Sequence, residues 1–153
     1  MAALFREKIG EFRDFGRDAD LASAIERHVA AHTGVLADCR VPVLCHDDFH
    51  PGDIIVTGSY GGWRLTGVVD VENAVAGDPL LDLAKTLLYA VGENKTKRGG
   101  LLDGYGGIDR PDWEQAVELY QLYHALEWWD WAALIGASKP PWLIEVIKRI
   151  ASH

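Results

Sequence analysis

The first third of the chain carries apolar residues at helical spacing. In ALFREKIGEFRDF, Leu4, Phe5, Ile9, Phe12 and Phe15 share one broad face. DADLASAIERHVAAHTG follows, with Asp18 or Asp20 as N-cap, Leu21, Ala22, Ile25 and Val29 at helical spacing, and Gly34 as the stop. The period then changes. VPVLC (41–45) and DIIVT (53–57) are short β-type runs, SYGG (59–62) is a turn, and WRLTGVVDVE (63–72) is a third run that ends in acids. These runs predict a small antiparallel arrangement with its loops gathered at one end. Helix returns in GDPLLDLAKTLLYAV, where Asp78 is the expected N-cap and Pro79 the first helical residue. ENKTKRGGLLDGYGGIDR reads as a basic, glycine-rich connection, its NKTKRGG run a solvated loop. PDWEQAVELYQLYHALEWWDWAALIG is one long helix and PPWLIEVIKRIAS the closing one. The expected fold class is α+β, mainly α, with a small β element in the middle of a single domain over residues 1–153.

Composition agrees with a folded domain. With 153 residues, 48% of them hydrophobic, and six Trp, the chain can bury a real core. A formal net charge of −8 argues against a nucleic-acid partner held through phosphates. Cys39 and Cys45 lack a C-x-x-C pattern and read as reduced thiols, with Cys45 in a buried strand. No run is long enough to span a membrane and the start MAALFREKIGEF lacks a signal-peptide layout, so the expected location is the cytoplasm.

The octet HDDFHPGD (46–53) lies between the first two β-type runs and is too polar for a core strand. Asp48, Asp53 and Asp70 are carboxylates near strand ends, and clustered carboxylates repel unless a cation or a proton sits among them. Mg²⁺ suits such oxygen donors, because it takes one or two carboxylates along with substrate phosphates. A remaining carboxylate can accept a proton from a hydroxyl nucleophile. Metal-assisted phosphoryl transfer to a hydroxyl is the chemistry these residues suggest.

The octet resembles the protein-kinase catalytic loop H-R-D-L-x-x-x-N, and more closely the H-G-D-x-H-P-G-N loop of the aminoglycoside phosphotransferase and choline kinase-like family. GVVDVENAVAGDPLLDLA, LLDGYGG and YQLYHALEWW resemble that family's metal motif, helix start and later helices, and the likeness spans roughly residues 18 to 140. The resemblance implies a protein-kinase-like carboxy-terminal lobe that transfers the γ-phosphate of ATP or GTP to the hydroxyl of a small molecule. It implies Asp48 as catalytic base, His46 as a brace of the loop, and His50 near the transferred phosphate. Asp70 and Asp53 would hold Mg²⁺, while Asp78 and Asp82 would fix the loop and the helix. Two positions depart from the pattern: Asp47 replaces the usual Gly and Asp53 the usual Asn.

Nothing before residue 41 resembles the G-x-G-x-x-G loop or the V-A-I-K strand of an amino-terminal nucleotide lobe, so that lobe is expected to be absent. A separate nucleotide-lobe chain or a second copy is then the expected macromolecular partner. The alternative reading is a non-catalytic remnant that binds a ligand or pairs with a protein. Glu72, Glu127 and Trp128 are candidates for the acceptor. A solvated helix face is the stronger reading of Glu114, Glu118, Glu127 and Asp130. His28, His32 and His124 are expected to be surface or partly packed, and Trp128, Trp129 and Trp131 cannot all be core. A rival site, His46, Asp48 and His50 on one strand face with His124 as a non-haem iron set, is the weaker reading.

Overall fold

The computed structural model describes residues 2–16, 18–37, 39 and 41–152, with side chains at all of these but 2, 15 and 16. Along the chain run α1 (Ala2–Gly16), α2 (Ala19–Ala31), α3 (Thr33–Ala37), β1 (Val43–Cys45), β2 (Ile54–Ser59), β3 (Gly62–Val68) and β4 (Val75–Gly77). Then follow α4 (Leu80–Thr86), α5 (Lys95–Tyr105), α6 (Trp113–Leu134) and α7 (Pro141–Ala151). The chain is thus mainly helical with a small β element, as its periodicity predicts. It forms two compact units, one of residues 1–40 with 112–153 and one of residues 41–111.

In the first unit, Phe5, Ile9 and Phe12 of α1 are buried at the i, i+4, i+7 spacing of a helical stripe. Leu4, expected on the same face, is exposed, because it lies about 100° round the helix from Phe5. The side chain of Phe15 lies outside the described ones. Asp18 caps α2, its carboxylate accepting the Leu21 N–H at 3.0 Å. The stop is His32 and not Gly34, which falls inside α3. The backbone N–H of His32 donates to the His28 carbonyl at 3.2 Å, and its ring Nδ1 lies 2.7 Å from the same oxygen.

Helix α6 is enclosed by α1, α3 and α7, which is why its residues 122–126 are all buried. Phe5 meets Tyr123 edge-on and Phe12 packs tilted on Trp129, with centroids 5.4 and 5.3 Å apart. Burial on several sides overturns two expectations. His124 is fully buried, its Nδ1 3.3 Å from Glu127 Oε2. Asp130 is 4% exposed, so it does not belong to a solvated face. Burial pushes its carboxyl up to about 8, helped by the neighbouring Glu11 and opposed by Lys8 and Lys139. The hydrogen bond from Lys8, 2.7 Å long, holds Glu11 below the usual carboxylate range. Two like charges do not both ionise in such a place, and Asp130 is the one that keeps its proton. The three tryptophans divide as their spacing requires: Trp131 is exposed, while Trp128 and Trp129 are half-buried.

The second unit holds two separate antiparallel pairs, β1 with β4 and β2 with β3. Strand β4, only three residues long, carries too little alternation to be seen in the sequence, and pairs Val43 with Gly77 and Cys45 with Val75. Between β2 and β3 the turn falls at Tyr60 and Gly61. Gly58 is obligatory there: its φ is +144°, and an added Cβ would stand 2.1 Å from the Gly62 carbonyl oxygen. Cys45, Leu80, Leu81, Leu83 and Ala84 form the apolar centre of the unit. The NKTKRGG run is helix and not loop. Asn94 caps α5 by accepting the Lys97 N–H at 2.9 Å, and the Tyr105 hydroxyl ties the other end to the Pro79 carbonyl at 3.3 Å. Because α5 buries no residue, no apolar stripe marks it, and Gly99, Gly100 and Gly104 mask it further. Among the described residues no helix is long and apolar enough to cross a membrane.

Candidate active site

The octet is held by one face of α4. That helix starts one residue later than expected, with Leu80 its first residue and Pro79 the cap. Asp78 Oδ1 accepts the Leu80 N–H at 2.9 Å and its carbonyl the Leu81 N–H at 2.9 Å. Its Oδ2 takes a 2.6 Å bond from the guanidinium of Arg110, a pair that is almost wholly buried. One turn on, the two carboxylate oxygens of Asp82 accept the backbone N–H groups of His46 and Asp47, each at 2.8 Å. Lys85 donates to the Asp47 carbonyl and reaches Asp48 Oδ1 at 3.2 Å. The Thr86 hydroxyl lies 2.9 Å from the Asp82 carbonyl and 3.3 Å from that of Phe49, sharing its one proton between them. Residues i, i+3 and i+4 of a helix stand on one side, so positions 82, 85 and 86 grip positions 46 to 49 together.

His46 links the octet to the next loop. Its Nε2 donates to the Val69 carbonyl at 2.8 Å, one residue before Asp70, and a nitrogen facing a carbonyl must carry the proton. Asp47 has φ +60° and Asp70 φ +66°, both left-handed. Short polar side chains tolerate that region better than most, so Asp can stand at 47 where the resembled family usually has Gly.

The end of the octet is a 3-10 turn over Pro51–Asp53 with reciprocal caps. Asp53 Oδ2 accepts the His50 N–H at 3.2 Å, and His50 Nδ1 accepts the Gly52 N–H at 3.0 Å. His50 Nδ1 also lies 3.3 Å from Asp53 Oδ2. Since that nitrogen is already an acceptor, its approach to the carboxylate is not an ion pair. A Cβ on residue 52 would come within 2.7 Å of His50 Cε1, which explains the glycine. Asp53 is buried, and its carbonyl accepts the Val69 N–H at 3.0 Å. The backbone thus sets Asp53 against the residue that precedes Asp70, whose carboxylate is exposed.

Asp48, Asp53 and Asp70 do not form the single cluster that their sequence suggests. Among the described residues no three His, Cys, Asp or Glu side chains gather as a metal cage. Asp48 meets Lys85 instead. Asp53 and Asp70 are each oxygen donors of the kind Mg²⁺ takes, and that ion needs only one or two carboxylates. The iron reading fails: residues 46–50 are not strand, and His124 sits on α6 against Glu127. Glu72 is exposed on the 3-10 turn that follows Asp70. Trp128 packs edge-on against Trp142 at 5.2 Å. Trp128 and Glu127 belong to the first unit, and the octet to the second.

A model of the phosphotransferase enzyme family matches residues 3–119. The chain belongs to that family. Among solved structures, this phosphotransferase-family chain is similar to an ethanolamine kinase from Plasmodium vivax, with a TM-score of 0.52 and 16% identity. The likeness covers 97% of this chain and 47% of that one, so the chain spans about half its length. It establishes the fold, a mainly helical kinase-like lobe with small β pairs. Comparison with curated protein sequences yields no match.

Sequence reasoning missed Lys85, Thr86 and Arg110. The first two had a usable signal, since they follow Asp82 at helical spacing. Arg110 had none: it lies 32 residues from its partner, beyond a helix that was itself unseen.

Proposed function

We propose that the chain is the catalytic and acceptor-binding part of a phosphotransferase that moves the γ-phosphate of ATP or GTP onto a hydroxyl of a small molecule. The observation that carries this reading is the half-exposed Asp48 carboxylate in a loop whose backbone on both sides is bound to α4. Asp48 orients the acceptor hydroxyl and takes up its proton. His46 braces the loop against Val69 and so keeps Asp48 and Asp70 in fixed relation. His50 presents a ring beside the same loop, to the transferring phosphate. Asp70 and Asp53 would hold Mg²⁺, which when bound neutralises phosphate charge. Asp53 in place of Asn adds negative charge, which makes the site more dependent on the ion than an Asn would.

For the acceptor we assign Glu72, in the same unit as the octet, whose acidic chemistry suits an amine-bearing alcohol. The ethanolamine kinase neighbour supports that class. The test is transfer of labelled γ-phosphate from ATP and GTP to a panel of amino alcohols and aminosugars. Asp48→Asn should lower turnover by about 10²- to 10⁴-fold. Equal turnover by the variant would overturn the reading.

A second reading, a protein-pairing module, is favoured by the apolar side chains bare on the β pairs. Leu44 is 80% exposed, Trp63 69% and Leu65 60%. In that reading the chain is non-catalytic and a second polypeptide covers these side chains. Monomeric sedimentation together with metal-dependent transfer by the chain alone would exclude this reading.

A further inference from the structure

We propose that Lys85 is the positioning residue of Asp48, fixing one rotamer of its carboxylate so that a single oxygen is offered to the acceptor hydroxyl. The inference rests on the reading of Asp48 as the base. An aspartate side chain 44% exposed on a loop would ordinarily sample several rotamers. Here Oδ1 meets the Lys85 ammonium at 3.2 Å. The lysine is itself only 12% exposed, and a second of its protons goes to the Asp47 carbonyl. Its helix is fixed to the same loop by Asp82 and Thr86. The ammonium therefore cannot swing away as a surface lysine would. With Oδ1 held, Oδ2 is the oxygen that receives the hydroxyl proton.

The pair is too exposed on the Asp48 side for its value to lie in stability. Its value lies in orientation, where small misplacements of a catalytic group are costly. Lys85 also offsets carboxylate charge in a loop that contains Asp47, Asp48 and Asp53. An arginine can keep both the charge and the donors, whereas a methionine keeps only the stem.

The test compares the wild-type chain with Lys85→Met and Lys85→Arg by NMR, reading the two Hα–Hβ couplings of Asp48. We expect the couplings of a single staggered rotamer in the wild type (one large and one small, or both small), two intermediate couplings in Lys85→Met, and recovery of the wild-type pattern in Lys85→Arg. The amide shifts of His46 and Asp47 control for an intact Asp82 clamp. Averaged couplings in the wild type, or the wild-type pattern retained in Lys85→Met, would overturn the proposal. If Lys85→Met does not fold, Lys85→Gln takes its place and the wild-type couplings still decide. In transfer assays, Lys85→Met should lower kcat about tenfold with the nucleotide KM unchanged. A raised KM with unchanged kcat would show that Lys85 binds the nucleotide and would equally overturn the proposal. Normal turnover by Asp48→Asn would sink the reading of Asp48 as the base, while the couplings would still report whether Lys85 holds it.

Discussion

The carboxylate of Asp82 accepts the backbone N–H of His46 at 2.8 Å, across 36 positions of sequence, and with its other oxygen that of Asp47. A single helical side chain thereby sets the path of the loop that carries Asp48. Replacing it with Asn leaves one acceptor oxygen and turns an NH₂ group toward a backbone donor. We expect Asp82→Asn to cost about 2 kcal/mol in chemical unfolding, with the amide signals of residues 46–49 shifted or broadened. An unchanged unfolding midpoint together with unchanged loop amides would refute the clamp.

Arg110 and Asp78 form a buried pair at 2.6 Å. Removing the arginine takes a cation at 2.6 Å from a buried carboxylate whose other oxygen accepts the Leu80 N–H. Arg110→Ala should destabilise the 41–111 unit by about 3 kcal/mol and speed hydrogen exchange at the Leu80 and Leu81 amides. Arg110→Lys should recover part of the loss. Exchange at Leu80 no faster than in the wild type would contradict this.

Asp130 gives the chain a pH dependence of definite sign. Its folded-state value, about 8, lies above the ordinary aspartate value of 3.8. Its contribution is therefore fully favourable below the ordinary aspartate range and is lost as pH rises through about 8. Lys8 and Glu11 on α1, Glu127 on α6 and Lys139 in the following loop act on the same cluster. Asp130→Asn should raise Tm by about 5 °C at pH 8 and have little effect near pH 4. A gain that is equal at both pH values would mean that the proton on Asp130 is not responsible.

Much of this was legible in the sequence, and the misses share a cause. The stripe Phe5, Ile9, Phe12 and the Asp18 cap are local patterns, and the structure contains both. The polar octet announced itself because such a composition cannot be core. What stayed hidden depends on neighbours distant in sequence. Strand β4 exists only as the partner of β1, and α5 buries no side chain that would mark its period. His124 and Asp130 look like surface residues until α1 and α7 close on α6. The departure at Asp47 becomes understandable only from its left-handed φ.

In the proposed phosphotransferase site Asp53 and Asp70, on backbone joined by the Val69-to-Asp53 bond, would hold the metal. Mn²⁺, titrated in place of Mg²⁺ with ADP present, would test it by selective broadening of backbone amide signals. Broadening should centre on Asp53, Val69 and Asp70 and be lost in Asp70→Asn. Broadening centred elsewhere, or undiminished in Asp70→Asn, would contradict it.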